Sequence, residues 1–405
     1  MTPEGPHVAV VTPWYPEPQV PFRGSFVRAM VEATAPGCSQ VDVWHLNLWT
    51  VVRTAERLEK TWAAQRLLLP RSVPPIPSAA GSVLRRVPVL APPTEDWREK
   101  SDLFAEWLAV ALDGARLAAP VIHAHVPLTA GWAALENAAP GAKVYATEHA
   151  SFLADILAQG PARDRYDEIL DRLEGYFVVG EPLRDLVAAT FPHHADKIGF
   201  IANPIDFRSG GVRAPGPLRR WLAVSSLTER KRIDYLLRAF AVCRAEDPDL
   251  TLTLVGDGKE RPALEALAAE LAVAEAVDFR GSVAPETIPG TMAEHDLLVH
   301  ASRHETFGMV VVEAVAAGIP VLVSRCGGPE HALAGSAADA GEYFDVDDDP
   351  AVLVKAWQAL RGRHPGGTDL ARARAALEAR YGYEAVAAQH HRAWSGPAET
   401  GRETS

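Results

Sequence analysis

Long apolar runs are missing from this 405-residue chain: nowhere do about 18 apolar residues follow one another, so no spanning helix is expected. Cysteine is scarce. Cys38, Cys243 and Cys326 lie too far apart to form a metal or redox motif, and free thiols in a reducing cytoplasm are their simplest account. Positive charge is in deficit, with 40 Lys and Arg against 52 Asp and Glu and a formal net charge of −12. That balance argues against a nucleic-acid partner, whose binding is driven by phosphate neutralisation. It leaves room for an anionic small ligand, which needs only a local cluster of positive charge. The opening MTPEGPH lacks the basic and apolar stretches of a signal peptide, so a cytoplasmic location is expected.

What is present is the composition of a soluble globular protein, 48% hydrophobic and 23% charged. The chain exceeds the length at which single cores stop growing, so two domains are expected. Short apolar strands alternate with helices. Residues 7–12, 41–45, 121–125, 143–147, 176–179 and 198–202 read as strands, and 25–33, 103–117, 130–139 and 182–189 as helices. Alternation of this kind points to parallel sheets covered on both faces. Glycine and proline then interrupt it in the sequence FRSGGVRAPGP, and the rhythm restarts with strands at 221–225, 251–255, 277–280, 297–300 and 320–324. The reading is an α/β chain of two doubly wound, Rossmann-like domains, 1–207 and 218–380, joined by a linker at 208–217, with ligands beyond the carboxyl ends of the strands. Residues 395–405 read as a disordered tail.

Between Trp49 and Ser101 the alternation lapses into a proline-rich stretch carrying Arg53, Arg57, Lys60, Arg66 and Arg71 beside Leu67-Leu68-Leu69. It reads as a surface excursion with solvated charge; a loop selecting an acceptor, or a peripheral membrane contact, is the functional alternative.

The most informative stretch is RHETFGMVVVEAVAAGIPVLVSRCGG, from Arg303 to Gly328. Glu305 and Glu313 stand eight positions apart around a Phe307-Gly308 turn. Gly308 allows a turn that bulkier residues resist, so a helix can begin there with bare amide donors, an end that attracts an anion such as a diphosphate. Glu305 then precedes the helix and Glu313 lies roughly one turn inside it. Both carboxylates can accept hydrogen bonds from vicinal hydroxyls, as on a ribose or a sugar.

This segment resembles the Glu-x7-Glu signature of the retaining glycosyltransferases of family 4, which have the GT-B fold of two Rossmann-like domains facing across a cleft. The resemblance covers most of the chain and implies a metal-independent transferase. It would move a sugar from a nucleoside-diphosphate sugar, UDP- or GDP-linked, to an acceptor hydroxyl on a small molecule or glycan, in natural-product or polysaccharide biosynthesis. No cofactor beyond that co-substrate is implied, and no Asp-x-Asp stands where a metal would be held. A last helix at about 383–394 would cross back to the first domain. Thr147-Glu148-His149 is similar to the family's Thr-x-His element, so His149 would contact the donor sugar. His123 and His125 share one strand face; they read as structural or cleft-lining. Asn203-Pro204-Ile205-Asp206 resembles the turn that closes the first domain, with proline in place of glycine.

Ser225-Ser226-Leu227-Thr228-Glu229-Arg230-Lys231 aligns with Gly-Arg-Leu-x-x-x-Lys, matching at Leu227 and Lys231 but putting Ser226 where an arginine would neutralise the departing diphosphate. A serine hydroxyl brings a hydrogen bond and no charge. Lys231 would then hold the diphosphate, helped by Arg230 or Arg232. Gly24 opens a helix after the first strand, and Gly256 and Gly258 match the nucleotide-side glycine turn. The amides of Phe307, Gly308, Met309 and Val310 would hold sugar and phosphate oxygens. Glu305 would bind donor-sugar hydroxyls and Glu313 the ribose. Two other readings share the fold, a nucleotide-sugar epimerase and a phosphorylase, and a non-catalytic sugar-nucleotide sensor is the reading from another class. The motifs specify neither base, sugar, acceptor nor oligomeric state.

Overall fold

The computed structural model describes residues 5–50, 73–211 and 216–395, together with Ala63 and Leu69. The basic residues Arg53, Arg57, Lys60, Arg66 and Arg71, part of the 208–217 linker and the expected tail at 395–405 lie largely or wholly outside them; Leu69 is buried. The chain divides into two compact units. Unit 1 holds Met1–Val179, Leu183–Pro204 and Tyr383–Ser405, and unit 2 holds Gly180–Pro182 and Ile205–Gly382.

Unit 1 is built on strands β1 (His7–Thr12), β2 (Gln40–Thr50), β3 (Ile76–Pro77), β4 (Val83–Ala91), β5 (Val121–His125), β6 (Lys143–Glu148), β7 (Gly175–Val178) and β8 (Ile198–Phe200). Their order is β3-β4-β2-β1-β5-β6-β7-β8, parallel throughout except for β3. Val8, Val10 and Val43 lie fully buried with Met30 of the helix Ser25–Thr34, as covering a parallel sheet with helices requires.

Two expectations need correction. The stretch between Trp49 and Ser101 is not all excursion: β4 pairs with β2 along its whole length, through Asn47 opposite Pro88. Proline at that position hid the strand. Its missing donor costs little, because on the other side β3 covers only Val83 and Leu84, and the edge beside Pro88 is unpaired among the described residues. The helix expected over 103–117 runs from Trp97 to Ala111. Asp96 starts it early by accepting hydrogen bonds from the Arg98 and Glu99 amides at 2.8 and 3.1 Å, and Asp113 and Gly114, both at positive φ, end it early.

The last helix, Tyr383–Ser395, belongs to unit 1 and packs on Ser25–Thr34. His391 donates to the Thr34 carbonyl at 3.0 Å, Tyr383 to Glu32 at 3.2 Å, and the Trp394 indole to His123 Nδ1 at 3.0 Å.

Unit 2 carries β9 (Arg220–Val224), β10 (Thr251–Val255), β11 (Val277–Gly281), β12 (Leu297–His300), β13 (Val321–Ser324) and β14 (Gly341–Phe344), ordered β11-β10-β9-β12-β13-β14 and parallel throughout. This is the doubly wound order whose sense reverses between the first and fourth strands, here β9 and β12. Trp221, Phe240 and Trp357 fill the core in edge-to-face contact. Among the described residues no helix is long and apolar enough to cross a membrane.

Candidate functional site

The reversal between β9 and β12 fixes where chemistry can gather in unit 2, because the loops leaving those two strands diverge and open a crevice beyond their carboxyl ends. The loop after β9 carries Ser226, Arg230 and Lys231; β12 ends on His300 and leads to Glu305. These residues meet. The Lys231 ammonium forms an ion pair with Glu305 Oε1, His300 Nε2 lies 3.4 Å from the same oxygen, and an Arg230 Nη1 stands 3.7 Å from Oε2. Burial by itself would raise the Glu305 carboxyl, but His300 and Lys231 outweigh it and hold the group well below the usual carboxylate range. Glu305 is therefore a fixed anion, buried beside the Lys231 and Arg230 cations.

Arg230 and Arg232 part company. Arg230 also donates to the His304 carbonyl at 2.8 Å and stays beside Glu305. Arg232 adopts a left-handed backbone at φ 53, lies over the Tyr235 ring and is bound by the Asp347 carbonyl and the Asp348 carboxylate. It is buried as a structural clamp. Ser226 is exposed in the loop.

The helix Met309–Ala316 starts at Gly308, whose φ of 87 and ψ of 50 are left-handed, and no side chain caps it. Its first amides have no intrahelical acceptor, which leaves the dipole's positive end open. A Cβ on Gly308 would come within 2.8 Å of Pro329 Cγ, so glycine is required twice over, by conformation and by space. Met309 and Val310 are partly buried, whereas the Phe307 side chain is core, edge-on to Tyr381 at 5.1 Å, so only its backbone can serve a ligand. Glu313 sits one turn in. Desolvation pushes its carboxyl up to about 7, and no compensating cation opposes the rise.

The Gly327-Gly328 loop holds Glu305 in place. Glu305 donates its amide to the Cys326 carbonyl at 3.1 Å and accepts from the Gly328 amide at 3.0 Å; a Cβ on Gly328 would lie 2.4 Å from the Phe307 nitrogen. Gly256 and Gly258 have a packing reason of the same kind. Their Cβ positions fall 1.9 and 2.2 Å from the carbonyl oxygens of Ser225 and Leu227, so the loop after β10 closes directly on the loop that bears Lys231.

His149 and Gly24 lie in unit 1. Gly24, at φ 70 against the Trp14 backbone, starts the helix whose Phe26 ring stands 4.5 Å from the His149 ring. His149 Nε2 is hydrogen-bonded to His125 Nδ1 at 2.8 Å, and its backbone amide donates to the buried Glu148 carboxylate. Burial, then His123 and His390, lower its pKa to about 3. The imidazole is neutral. His123 accepts the Trp394 indole proton at Nδ1, so its own proton is on Nε2 and is donated to Thr147 at 2.8 Å.

His300 and the Glu148–Tyr166 hydrogen bond were not foreseen. His300 had a signal: it stands at the carboxyl end of a strand, where ligands gather in such sheets. Tyr166 had none, since its contact with Glu148 spans two elements.

Residues 212–360 match the family described as glycosyl transferases group 1. A D-inositol 3-phosphate glycosyltransferase of Streptomyces avermitilis is 37% identical over 154 residues, 33% of this chain and 33% of that protein. A GDP-mannose-dependent alpha-(1-6)-phosphatidylinositol monomannoside mannosyltransferase of Mycolicibacterium smegmatis is 35% identical over 134 residues, 31% of this chain and 35% of that protein. The chain thus spans about a third of the length of these curated relatives. Among solved structures, sucrose-phosphate synthase from Thermosynechococcus elongatus superposes with a TM-score of 0.71 at 20% identity, covering 96% of this chain and 97% of that one. Anabaena HepE, in complex with UDP and glucose, gives 0.66 at 16% identity over 97% and 100%. At these identities the structures speak for the fold. Residues 212–360 therefore resemble group 1 glycosyl transferases, within a chain that has the GT-B fold.

Proposed function

We propose that the chain is a retaining, metal-independent glycosyltransferase that moves a sugar from a UDP- or GDP-linked donor to an acceptor hydroxyl. The observation that carries this is the Lys231–Glu305–His300 cluster at the β9/β12 reversal, in the unit that also holds an uncapped helix start with Glu313 one turn inside. In the free protein Lys231 neutralises Glu305. A donor diphosphate competes for that ammonium, freeing Glu305 oxygens to accept from the sugar hydroxyls. Arg230 supplies the second positive charge that Ser226 lacks. The open amides at the start of Met309–Ala316 take phosphate oxygens, so leaving-group charge is met by fixed dipoles and two cations. Glu313 accepts from the ribose hydroxyls. By the family resemblance, the leaving phosphate itself takes the acceptor proton, and His149 contacts the donor sugar. Glu305 acts on hydroxyls and not as a nucleophile at the anomeric carbon.

The relatives divide on the base: one is named for GDP-mannose, and HepE binds UDP. Calorimetric titration with UDP, GDP, ADP and TDP is therefore the test, run beside Glu313→Ala and Lys231→Ala. One nucleotide is expected to bind selectively. Lys231→Ala should weaken it about tenfold or more, the worth of one charge-assisted hydrogen bond. Binding of none of the four by the wild-type protein would sink the assignment.

A further inference from the structure

Away from the transferase residues, unit 1 brings two histidines and an aspartate to one point, with a second aspartate at its edge. Asp167 and Asp171 are one turn apart on the helix Gly160–Arg172 and so share a face. His193 and His194 come from the 3-10 turn Pro192–Lys197, which leads directly into β8. His193 Nε2 lies 2.8 Å from Asp167 Oδ1; His194 Nε2 lies 3.1 Å from that same oxygen and 3.5 Å from Asp171 Oδ1. The ligand atoms of Asp167, His193 and His194 all lie within 4.8 Å of one another, with Asp171 beside His194. Ligands at about 2.0–2.1 Å around a tetrahedral centre sit roughly 3.3 Å apart, so these three are gathered close to the spacing of a ligand shell.

His194 supplies a second observation. Its side chain is only 8% exposed, yet its Nε2 makes no hydrogen bond of acceptable geometry, although two carboxylate oxygens are near. An orphaned buried nitrogen of this kind is destabilising. A cation between these atoms would satisfy it, since a metal needs only the imidazole nitrogen as a ligand and no hydrogen-bond alignment with Asp167. The neighbouring cation of the turn, Lys197, donates to the carbonyls of Leu170 and Asp171. Entry is open, since the side chains of His193 and Asp171 are 58% and 71% exposed.

We propose that His193, His194 and Asp167, with Asp171 within reach as a fourth ligand, form a binding site for a divalent transition metal, a clip fastening the turn before β8 to the helix Gly160–Arg172. Two imidazoles with two carboxylates favour zinc, nickel or copper over magnesium and calcium, which prefer all-oxygen shells. The site shares no residue with the transferase cluster, and the two can fail separately.

The full chain, tag-free and stripped with EDTA, would be titrated with zinc and nickel chloride by calorimetry, and with cobalt for ligand-field bands in the visible spectrum. One saturable site is expected, with tetrahedral cobalt bands and a melting temperature that rises with zinc. His193→Ala and Asp171→Asn change exposed side chains and should leave the fold intact while weakening zinc binding about tenfold or more. Absence of saturable binding, or affinity unchanged in both variants, would overturn the proposal.

Discussion

Glu313 shows how burial can set one side chain against stability. Its carboxyl is raised to about 7 by desolvation, from an ordinary value of 4.5. The folded state therefore holds a proton that the unfolded state releases. Its contribution to stability is fully present below the unfolded value and is lost as pH rises through about 7. Glu313→Gln should accordingly stabilise the protein at pH 8 by up to about 2–3 kcal/mol, and the gain should fall below about 1 kcal/mol near pH 5. Urea denaturation at the two pH values checks this, and an equal gain at both would refute it. Arg232 teaches the complementary lesson. It neighbours Lys231 in sequence, but a left-handed backbone and the Asp347–Asp348 segment turn it away from Glu305.

At the scale of the element, the helix Met309–Ala316 is the part most exposed to a small change. Gly308→Ala would force a Cβ into a left-handed conformation, costing about 1–2 kcal/mol, and into Pro329 besides. A loss of about 2–3 kcal/mol is expected, together with weaker nucleotide diphosphate binding, because the start of the helix and the Glu305 segment share the Gly327-Gly328 packing. Denaturation and titration of the same preparation would show both; loss of neither would mean that the helix start can relax. The sequence made this element readable, since the glycine, the apolar run and the Gly-Ile-Pro break are all local. β4 was not readable, because Pro88 breaks a local rule that only its place near the sheet edge makes harmless.

The two units differ in their response to acid. Unit 1 buries His45, His149 and His390, each lowered to about 3, with desolvation the largest cause. Such groups are neutral and cost nothing above their unfolded value of 6.5. As pH falls below it the unfolded chain gains protons that the folded unit refuses, and stability declines down to about pH 3. At pH 5 this amounts to up to about 2 kcal/mol per histidine. In unit 2, Glu313 shifts stability the opposite way and offsets the lowered His295 and His364. Hydrogen exchange followed by mass spectrometry at pH 7 and pH 5, corrected for intrinsic rates, should show β1, β5 and β6 losing protection more than β9 and β12. His390→Gln should lessen the unit 1 loss. Equal losses in both units would contradict the assignment.

The sequence by itself determined the parallel α/β class, most of the strands, and the local turn chemistry around Gly308, because these depend on side-chain periodicity and on what glycine and proline permit over a few residues. It also marked Lys231, Glu305 and Glu313 as polar groups at the right places along the chain. Only the tertiary structure decided which of them meet. Strand order put β9 beside β12 and so brought Lys231, Arg230 and His300 around Glu305, across about 70 residues of sequence. Burial then separated the two glutamates into a fixed anion and a carboxyl titrating near neutrality. The His390 and Trp394 contacts with His123 likewise come from a helix more than 250 residues away. Electrostatic environment is a property of neighbours in space, and no local pattern encodes it.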